Sequence, residues 1–291
     1  MGGSGARLTR VSWVPGAQAW RAEGPLVTFL WEPSNREPTP LEDQLGENAQ
    51  PIHPEEAAHG EKRLAQLACA IRSLEPTPAT LLALAAPGLR DPDSGGLQAV
   101  RNGPRQPFLV RDLAARLDQN ETYLFGDSLA GAAGELYGLG GALFGSTNGF
   151  YLAGGTGLAE ALILGGEVCE LTPPWEKALQ VFENGVNLED LLAPYRLKRT
   201  PSALDSNGEL RIEVLLSRLE SYVRRRQENF IDAYGTPIDH FAIGEGLARI
   251  LAGTTLPEAN WTQSLYLSTM HAAPAIGAVA LASKLREHRW S

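Results

Sequence analysis

Apolar and polar residues alternate along residues 7–14 and again along 17–21, on either side of Pro15-Gly16, and this pattern predicts a hairpin. Residues 31–53 carry Pro33, Pro38, Pro40 and Pro51 among many polar side chains and predict a loop. The period then becomes helical over 54–74, with Pro54 in the first turn and Glu55 and Glu56 placing negative charge against the helix dipole. Residues 80–86 are a short continuous apolar run, the signature of a buried strand, closed by Pro87-Gly88. A predicted loop containing Asn102-Gly103-Pro104 leads to a helix over 110–118. Two more strands, 122–125 and 149–153, bracket a helix of small residues. The turn Gly154-Gly155-Thr156-Gly157 precedes a third apolar strand, 158–164, and a Gly165-Gly166 hairpin turn. Residues 172–208 read as mixed helix and loop. Ile212, Leu215, Leu216, Leu219 and Val223 keep helical spacing within 210–233. A strand over 240–243 runs through Gly244-Glu245-Gly246 into a helix, and a last helix spans 274–287. Strands alternating with helices, with glycine turns at the strand ends, place the chain in the α/β class.

The 291 residues, 43% hydrophobic and 20% charged, suffice for two cores of about 100–150 residues each. A formal net charge of −9 argues against a broad phosphate-neutralising surface, and Arg224-Arg225-Arg226 is the one compact basic run, so nucleic acid is not an expected partner. Cys69 and Cys169 each sit in an apolar run and read as reduced core thiols, which suits a cytoplasmic protein. The N-terminus lacks the apolar region of a signal peptide, and no uninterrupted apolar run approaches the ~18–20 residues needed to span a bilayer. The expectation is a soluble protein that does not enter the membrane.

Chemistry enters through the glycine turns. Gly2-Gly3-Ser4, Gly155-Thr156-Gly157 and Gly244-Glu245-Gly246 could each present backbone N–H groups to a phosphate. Any one alone reads first as a plain chain reversal. Asp127, between a short apolar strand and a run of small residues, is on its residues alone a good helix N-cap.

The order of these features resembles the ROK group of sugar kinases and related repressors, in the actin, Hsp70 and sugar-kinase superfamily, along most of the chain. "GGSGARLTRV" is similar to the first phosphate loop, Asp-x-Gly-Gly-Thr before a strand. "LALAAPGLRDPDSGGLQAVRNGPRQPFLVRDL" resembles the strand, Pro-Gly turn, Asp-Pro-x-x-Gly hairpin and sugar-contacting Asn. "TYLFGDSLAGAAGELYG" resembles the Asn-Asp-x-x-Ala-Ala-Ala-x-x-Glu block, whose Asp is the catalytic base. "FYLAGGTGLAEALILGGEV" is similar to the second phosphate loop, "HFAIGEGLARIL" to the glycine-rich adenosine loop and "MHAAPAIGAVALA" to the closing helix.

The resemblance implies a two-lobed actin-like ATPase (ribonuclease H-like) fold, with mixed sheets and flanking helices. One lobe would be residues 1–115 plus the helix 274–291, the other 116–273. It implies transfer of the ATP γ-phosphoryl group, with Mg²⁺, to a hydroxyl of a sugar or sugar-like molecule, and a homodimer. Asp127 would be the base; Asn102 and Gly103 would meet the sugar, although Asn102-Gly103 also reads as an ordinary turn pair. Gly3, Ser4, Gly155, Thr156 and Gly157 would line the phosphates, and Gly244 and Gly246 would let adenosine approach the backbone. His240 reads as structural.

Several positions depart from the family pattern. Met1 falls at the x of the first loop, so the preceding Asp and its strand are missing, through an upstream start or through loss of the group. Gly126 replaces the Asn before the base. Glu160 falls near the end of the second phosphate loop and Glu245 interrupts the adenosine turn; a carboxylate facing a triphosphate is repulsive unless a metal or Lys intervenes, and the alternative is that both simply point outward. The Gly-x-x-Gly-Glu-x-Gly-His block that grips the sugar is not seen in "CELTPPWEKALQVFENG", where Glu176 stands as a replacement for its Glu or as a surface residue. The zinc cluster and the repressors' helix-turn-helix are also not seen, which disfavours a DNA-binding regulator. Two functions follow as expectations: an ATP-dependent sugar kinase, or a catalytically silent kinase-fold protein that binds a sugar or a partner protein.

Overall fold

Helix α1 spans Pro54–Leu74, with the bounds its pattern predicts. A proline at a helix start costs no hydrogen bond, because the first N–H groups have no partner within the helix. The computed structural model describes residues 1, 4–32, 37–47, 49–74, 81–91, 93–171, 182–183, 186–257 and 264–288. The chain divides into two units, Met1–Ala130 with Pro274–Ser291, and Gly131–Ala273.

In the first unit, β1 (Gly5–Val14) pairs antiparallel with β2 (Ala19–Leu30). Strand β3 (Leu82–Ala86) pairs in parallel with the later strand Thr122–Gly126, in register from Leu82↔Thr122 to Ala86↔Gly126. Part of the segment that pattern reading leaves as a loop is a hairpin of β4 (Leu89–Asp91) and β5 (Gly96–Ala99). Strands this short carry almost no period, and the turn is held by side chains: Asp91 accepts from the Asp93 N–H at 2.9 Å and the Ser94 hydroxyl at 2.8 Å. Helix α2 (Leu109–Leu117) leads into the parallel strand, now β6. Leu64, Leu67 and Ala68 of α1 form one core with Leu84 and Ala86 of β3, Leu109 and Leu113 of α2, and Ala6 and Trp31.

Helix α3 (Asp127–Tyr137) follows β6 without a break. The second unit holds β7 (Gly149–Gly154), β8 (Leu158–Leu164), β9 (Glu167–Glu170), and a two-residue pairing of β10 (Phe182–Glu183) with β11 (Val186–Asn187). Short helices α4 (Leu188–Leu192) and α5 (Pro194–Leu197) precede the long α6 (Ile212–Tyr234), which ends at Gly235 with φ 70°. Then come β12 (His240–Gly244), α7 (Glu245–Leu251), β13 (Leu265–Leu267) and α8 (Ala273–His288). Five strands form one sheet in the order β13-β12-β7-β8-β9, with β7 parallel to β12 and antiparallel to β8. Phe150, Leu152 and Leu162 face Leu215, Leu219, Tyr222 and Val223 of α6. Tyr151, Ala153, Ala161 and Ile163 face Ala132 and Leu136 of α3. Burial on both faces explains why 149–153 reads as an unbroken apolar run.

In the first unit again, Ala278 and Ala282 of α8 pack on Ala85, Phe125 and Ala130; alanine at these positions lets helix and strands approach closely. The cysteines need correction: Cys69 is exposed on α1 and Cys169 is half-buried, and neither forms a disulfide. The buried stripe of α1 runs through Leu64, Leu67 and Ala68, and Cys69 falls one further step around the helix, outside it. No helix among the described residues is long and apolar enough to cross a membrane.

Candidate functional site

Strands β3 and β6 end side by side at Ala86 and Gly126, so the residue after β6 stands at the carboxyl end of a parallel pair. That residue is Asp127, half-buried at the first position of α3. Its Oδ1 accepts the Ser128 N–H at 2.9 Å. The carboxylate therefore engages the helix start and also occupies the strand end where open α/β sheets bind ligands.

The turn holding Asn102 and Gly103 reaches the same end. Gly88, at φ 123°, packs so tightly that a Cβ there would meet the Ala99 carbonyl oxygen at 2.5 Å and Val100 Cγ2 at 3.3 Å. The other methyl of Val100 would lie 3.5 Å from a Cβ on Gly103, so one valine joins the turn closing β3 to the Asn102-Gly103 turn. Asn102 is exposed and Gly103 buried. Clamps hold this segment at both ends. The Gln44 amide donates to the Val100 carbonyl at 3.0 Å and accepts its N–H at 2.8 Å. Buried Glu56 accepts the backbone N–H and Nε of Arg105 at 2.9 Å each and Nη2 at 2.8 Å. Burial works to raise the Glu56 pKa, but the Arg105 hydrogen bonds and charge, with the Thr39 hydroxyl, hold it down at about 2.

In the second unit the two other glycine turns meet. Gly155-Thr156-Gly157 is the tip of the β7–β8 hairpin, closed by the Gly155 N–H donating to the Gly157 carbonyl at 2.9 Å. The Gly155 N–H is thereby committed, and the N–H groups of Thr156 and Gly157 are the donors that remain for a ligand among the described residues. A Cβ on Gly246 would sit 2.5 Å from the Gly154 carbonyl oxygen, and Gly154 bridges to Glu245 in parallel register. The Tyr151 hydroxyl lies 2.6 Å from the place of a Cβ on Gly131 and 2.9 Å from that of one on Gly244, so glycine is needed at both.

Glu245 adopts φ 56°, a left-handed conformation that costs a side-chain-bearing residue about 1–2 kcal/mol. Buried Glu135, the Glu of the block that begins at Asp127, accepts the Ala142 N–H at 2.8 Å and the Ser268 hydroxyl. Burial, with a smaller push from the Glu245 charge, raises its pKa above the ordinary carboxylate range.

Glu160 points inward, correcting the outward expectation. It lies on the core face of β8, opposite Leu152, where Arg226 Nη2 donates to it at 2.7 Å and the Tyr222 hydroxyl also donates. Arg226 is 1% exposed, so the basic run at 224–226 is not a surface patch. The period-two pattern of β8 carries this signal, since residue 160 shares a face with Leu162. His240 stacks on Tyr266 with ring centroids 4.9 Å apart. The Ser4 carbonyl accepts the Trp31 N–H at 3.0 Å. Gly3 and Glu176 lie outside the described residues.

No family model matches the chain, and the search of curated proteins finds no match. Solved structures do match. A polyphosphate/ATP-glucomannokinase from Arthrobacter sp. aligns over 91% of this chain and 90% of its own, with a TM-score of 0.62 and 16% identity. A ROK family glucokinase from Streptomyces griseus, in complex with glucose and AMPPNP, aligns over 98% and 97%, with a TM-score of 0.58 and 15% identity. The chain has the ROK sugar-kinase fold. A ROK hexokinase from Thermus thermophilus aligns over 79% of this chain and 88% of its own, with a TM-score of 0.55 and 22% identity. The actin-like α/β architecture expected from the sequence is thus present.

Within this ROK fold, sequence reading missed Arg90. A Cβ on Gly126 would lie 3.6 Å from both Nε and Nη2 of Arg90, so the guanidinium covers the residue before Asp127. The absence of a side chain at Gly126 was the available signal, and only the β4–β5 hairpin shows what fills the space.

Proposed function

We propose that the chain is an ATP-dependent kinase that phosphorylates a hydroxyl of a sugar or sugar-like molecule. The observation that carries this reading is the placement of Asp127 and the Asn102-Gly103 turn at one end of the β3–β6 pair. The Asp127 carboxylate would take the hydroxyl proton as the oxygen–phosphorus bond forms and the bond between the γ-phosphorus and its bridging oxygen breaks, releasing ADP. Asn102 would orient the sugar by hydrogen bonds. In the second unit the Thr156 and Gly157 N–H groups would hold phosphate oxygens, while Gly244 and Gly246 leave their backbone open to adenosine.

Mg²⁺ usually keeps several waters and takes one or two carboxylates beside the phosphates. No group of three or more His, Cys, Asp or Glu among the described residues could hold a metal by itself. Asp127 fits the smaller demand of an ion delivered with ATP, which would neutralise phosphate charge. Titration of the chain with Mg-ATP, followed by a phosphorylation screen over hexoses and amino sugars, tests the reading; no nucleotide binding refutes it.

A second reading, a catalytically silent protein that binds a sugar or a partner protein, is favoured by Glu245. This residue puts a carboxylate and a left-handed backbone into the adenosine turn. Sugar binding without Mg-ATP binding or transfer would support it.

A further inference from the structure

The start of α5 is seated on the phosphate turn proposed above. The Tyr195 N–H donates to the Gly155 carbonyl at 3.1 Å, and Pro194 Cδ lies 2.9 Å from the place of a Cβ on Gly154. With the Gly157 carbonyl accepting the Gly155 N–H at 2.9 Å, two carbonyl oxygens of the hairpin tip are engaged, while the N–H groups of Thr156 and Gly157 remain as donors. Such a turn favours an anion. Gly155 and Thr156 are exposed, so the tip is open to a ligand.

Tyr195 also carries a cation. Arg199 Cζ lies 4.2 Å from the centre of the Tyr195 ring, and Arg199 Nη2 donates to the Tyr195 hydroxyl. Both side chains are exposed. Arg196, one residue after Tyr195, is neutralised by Glu189, at 2.8 Å, and by Asp190. Arg199 meets no acidic side chain among the described residues, and most of the five N–H donors of its guanidinium stay available. Stacking and the hydroxyl bond have already ordered this long side chain, so its contact with an anion costs less entropy than that of an ordinary surface arginine. The residue that orders Arg199 is the one whose own N–H holds the tip, which puts cation and turn on one anchor.

We propose that Arg199 is a phosphate-binding residue of this turn, donating to an oxygen of a linked phosphate chain whose other oxygens meet the Thr156 and Gly157 N–H groups. Tyr195 is its positioning residue. The inference rests on the ATP reading for the role of the turn, but it needs neither adenosine nor phosphoryl transfer.

Calorimetric titration of the full chain with Mg-ATP, inorganic triphosphate and adenosine, at low and high salt, tests the assignment. Arg199→Gln should weaken Mg-ATP and triphosphate binding at least about threefold at low salt, less at high salt because the site is exposed, and leave adenosine binding unchanged. Arg199→Lys keeps the charge without the planar fork, and Tyr195→Phe keeps the ring without the hydroxyl, so each should lose less than Arg199→Gln. Lys198→Gln removes a neighbouring exposed charge that Tyr195 does not hold, and it should have little effect. Thermal melting of each variant should confirm folding. Unchanged Mg-ATP and triphosphate affinity in folded Arg199→Gln, an equal loss in Lys198→Gln, or a wild-type chain that binds neither compound would overturn the assignment. Triphosphate binding that needs Arg199, with no phosphoryl transfer, upholds it against the kinase reading. Mg-ATP binding and transfer that Arg199→Gln leaves intact uphold the kinase reading against it.

Discussion

The two units hold their turns by different means. In the second, β7 is hydrogen-bonded along both edges, to β12 in parallel and to β8 antiparallel, so the Gly155-Thr156-Gly157 tip grows out of a continuous backbone ladder. In the first, β3 pairs with β6 along one edge, and its other edge takes the Met1 amino group at the Ala85 carbonyl. There the Asn102-Gly103 turn is held by the Gln44 amide and the Glu56–Arg105 pair. The hairpin tip itself is closed by a backbone bond that does not titrate, whereas the Asn102-Gly103 turn depends on a carboxylate clamp. The proposed sugar turn should therefore respond to acid, and the proposed phosphate turn should not.

The largest effect would separate the units by role. Asp127→Asn should reduce phosphoryl transfer by roughly 10²–10⁴-fold, the usual worth of a general base, while Mg-ATP affinity measured by calorimetry stays nearly unchanged. Equal activity in this variant would remove the first unit's claim to the chemistry. Next in size, Arg226→Ala strands the Glu160 carboxylate in the second unit's core and should cost about 3–5 kcal/mol in denaturant unfolding. Replacing the whole buried group by apolar residues, as in Glu160→Leu with Tyr222→Phe and Arg226→Met, should recover most of that loss.

The acid test comes third. Glu56 has a folded pKa of about 2 against an ordinary 4.5, so its contribution is complete above pH 4.5 and is lost as pH falls towards 2. The contribution is on the order of 3 kcal/mol, and Glu56→Gln should flatten the acid limb of stability between pH 5 and about pH 2 by that order. Hydrogen exchange as pH falls below 4.5 towards 2 should show 100–105 loosening before the hairpin tip at 155–157; simultaneous loosening would break the contrast between clamp and ladder. The smallest effect belongs to Gly246→Ala, whose Cβ would press on the Gly154 carbonyl. Overpacking of this kind costs about 1–3 kcal/mol, and here it should appear as weaker Mg-ATP binding with little change in sugar binding.

What the sequence disclosed follows the length of its periods. The helix 54–74 and the strand 158–164 were legible to the residue because each buries a face along several repeats. The β4–β5 hairpin was legible only through the Asp-Pro-x-x-Gly resemblance and β13 not at all, since three or four residues cannot establish a period. At the candidate site, Asp127 was legible because an isolated carboxylate at the end of an apolar run is conspicuous. Arg90 was not, because its meaning depends on Gly126, 36 positions away, which the hairpin brings beneath it. Glu160 was misread because the glycine turn beside it drew it into the phosphate loop, while its alternation with Leu162 places it on the core face.

The buried pair of Glu160 and Arg226 also bears on how this chain can change over generations. The partners stand 66 positions apart, yet neither can be altered alone without leaving a buried charge uncompensated. Lineages that keep this packing should inherit the two positions as a single character, acid with base or apolar with apolar. That linked change gives a fingerprint for finding its relatives where overall identity has faded.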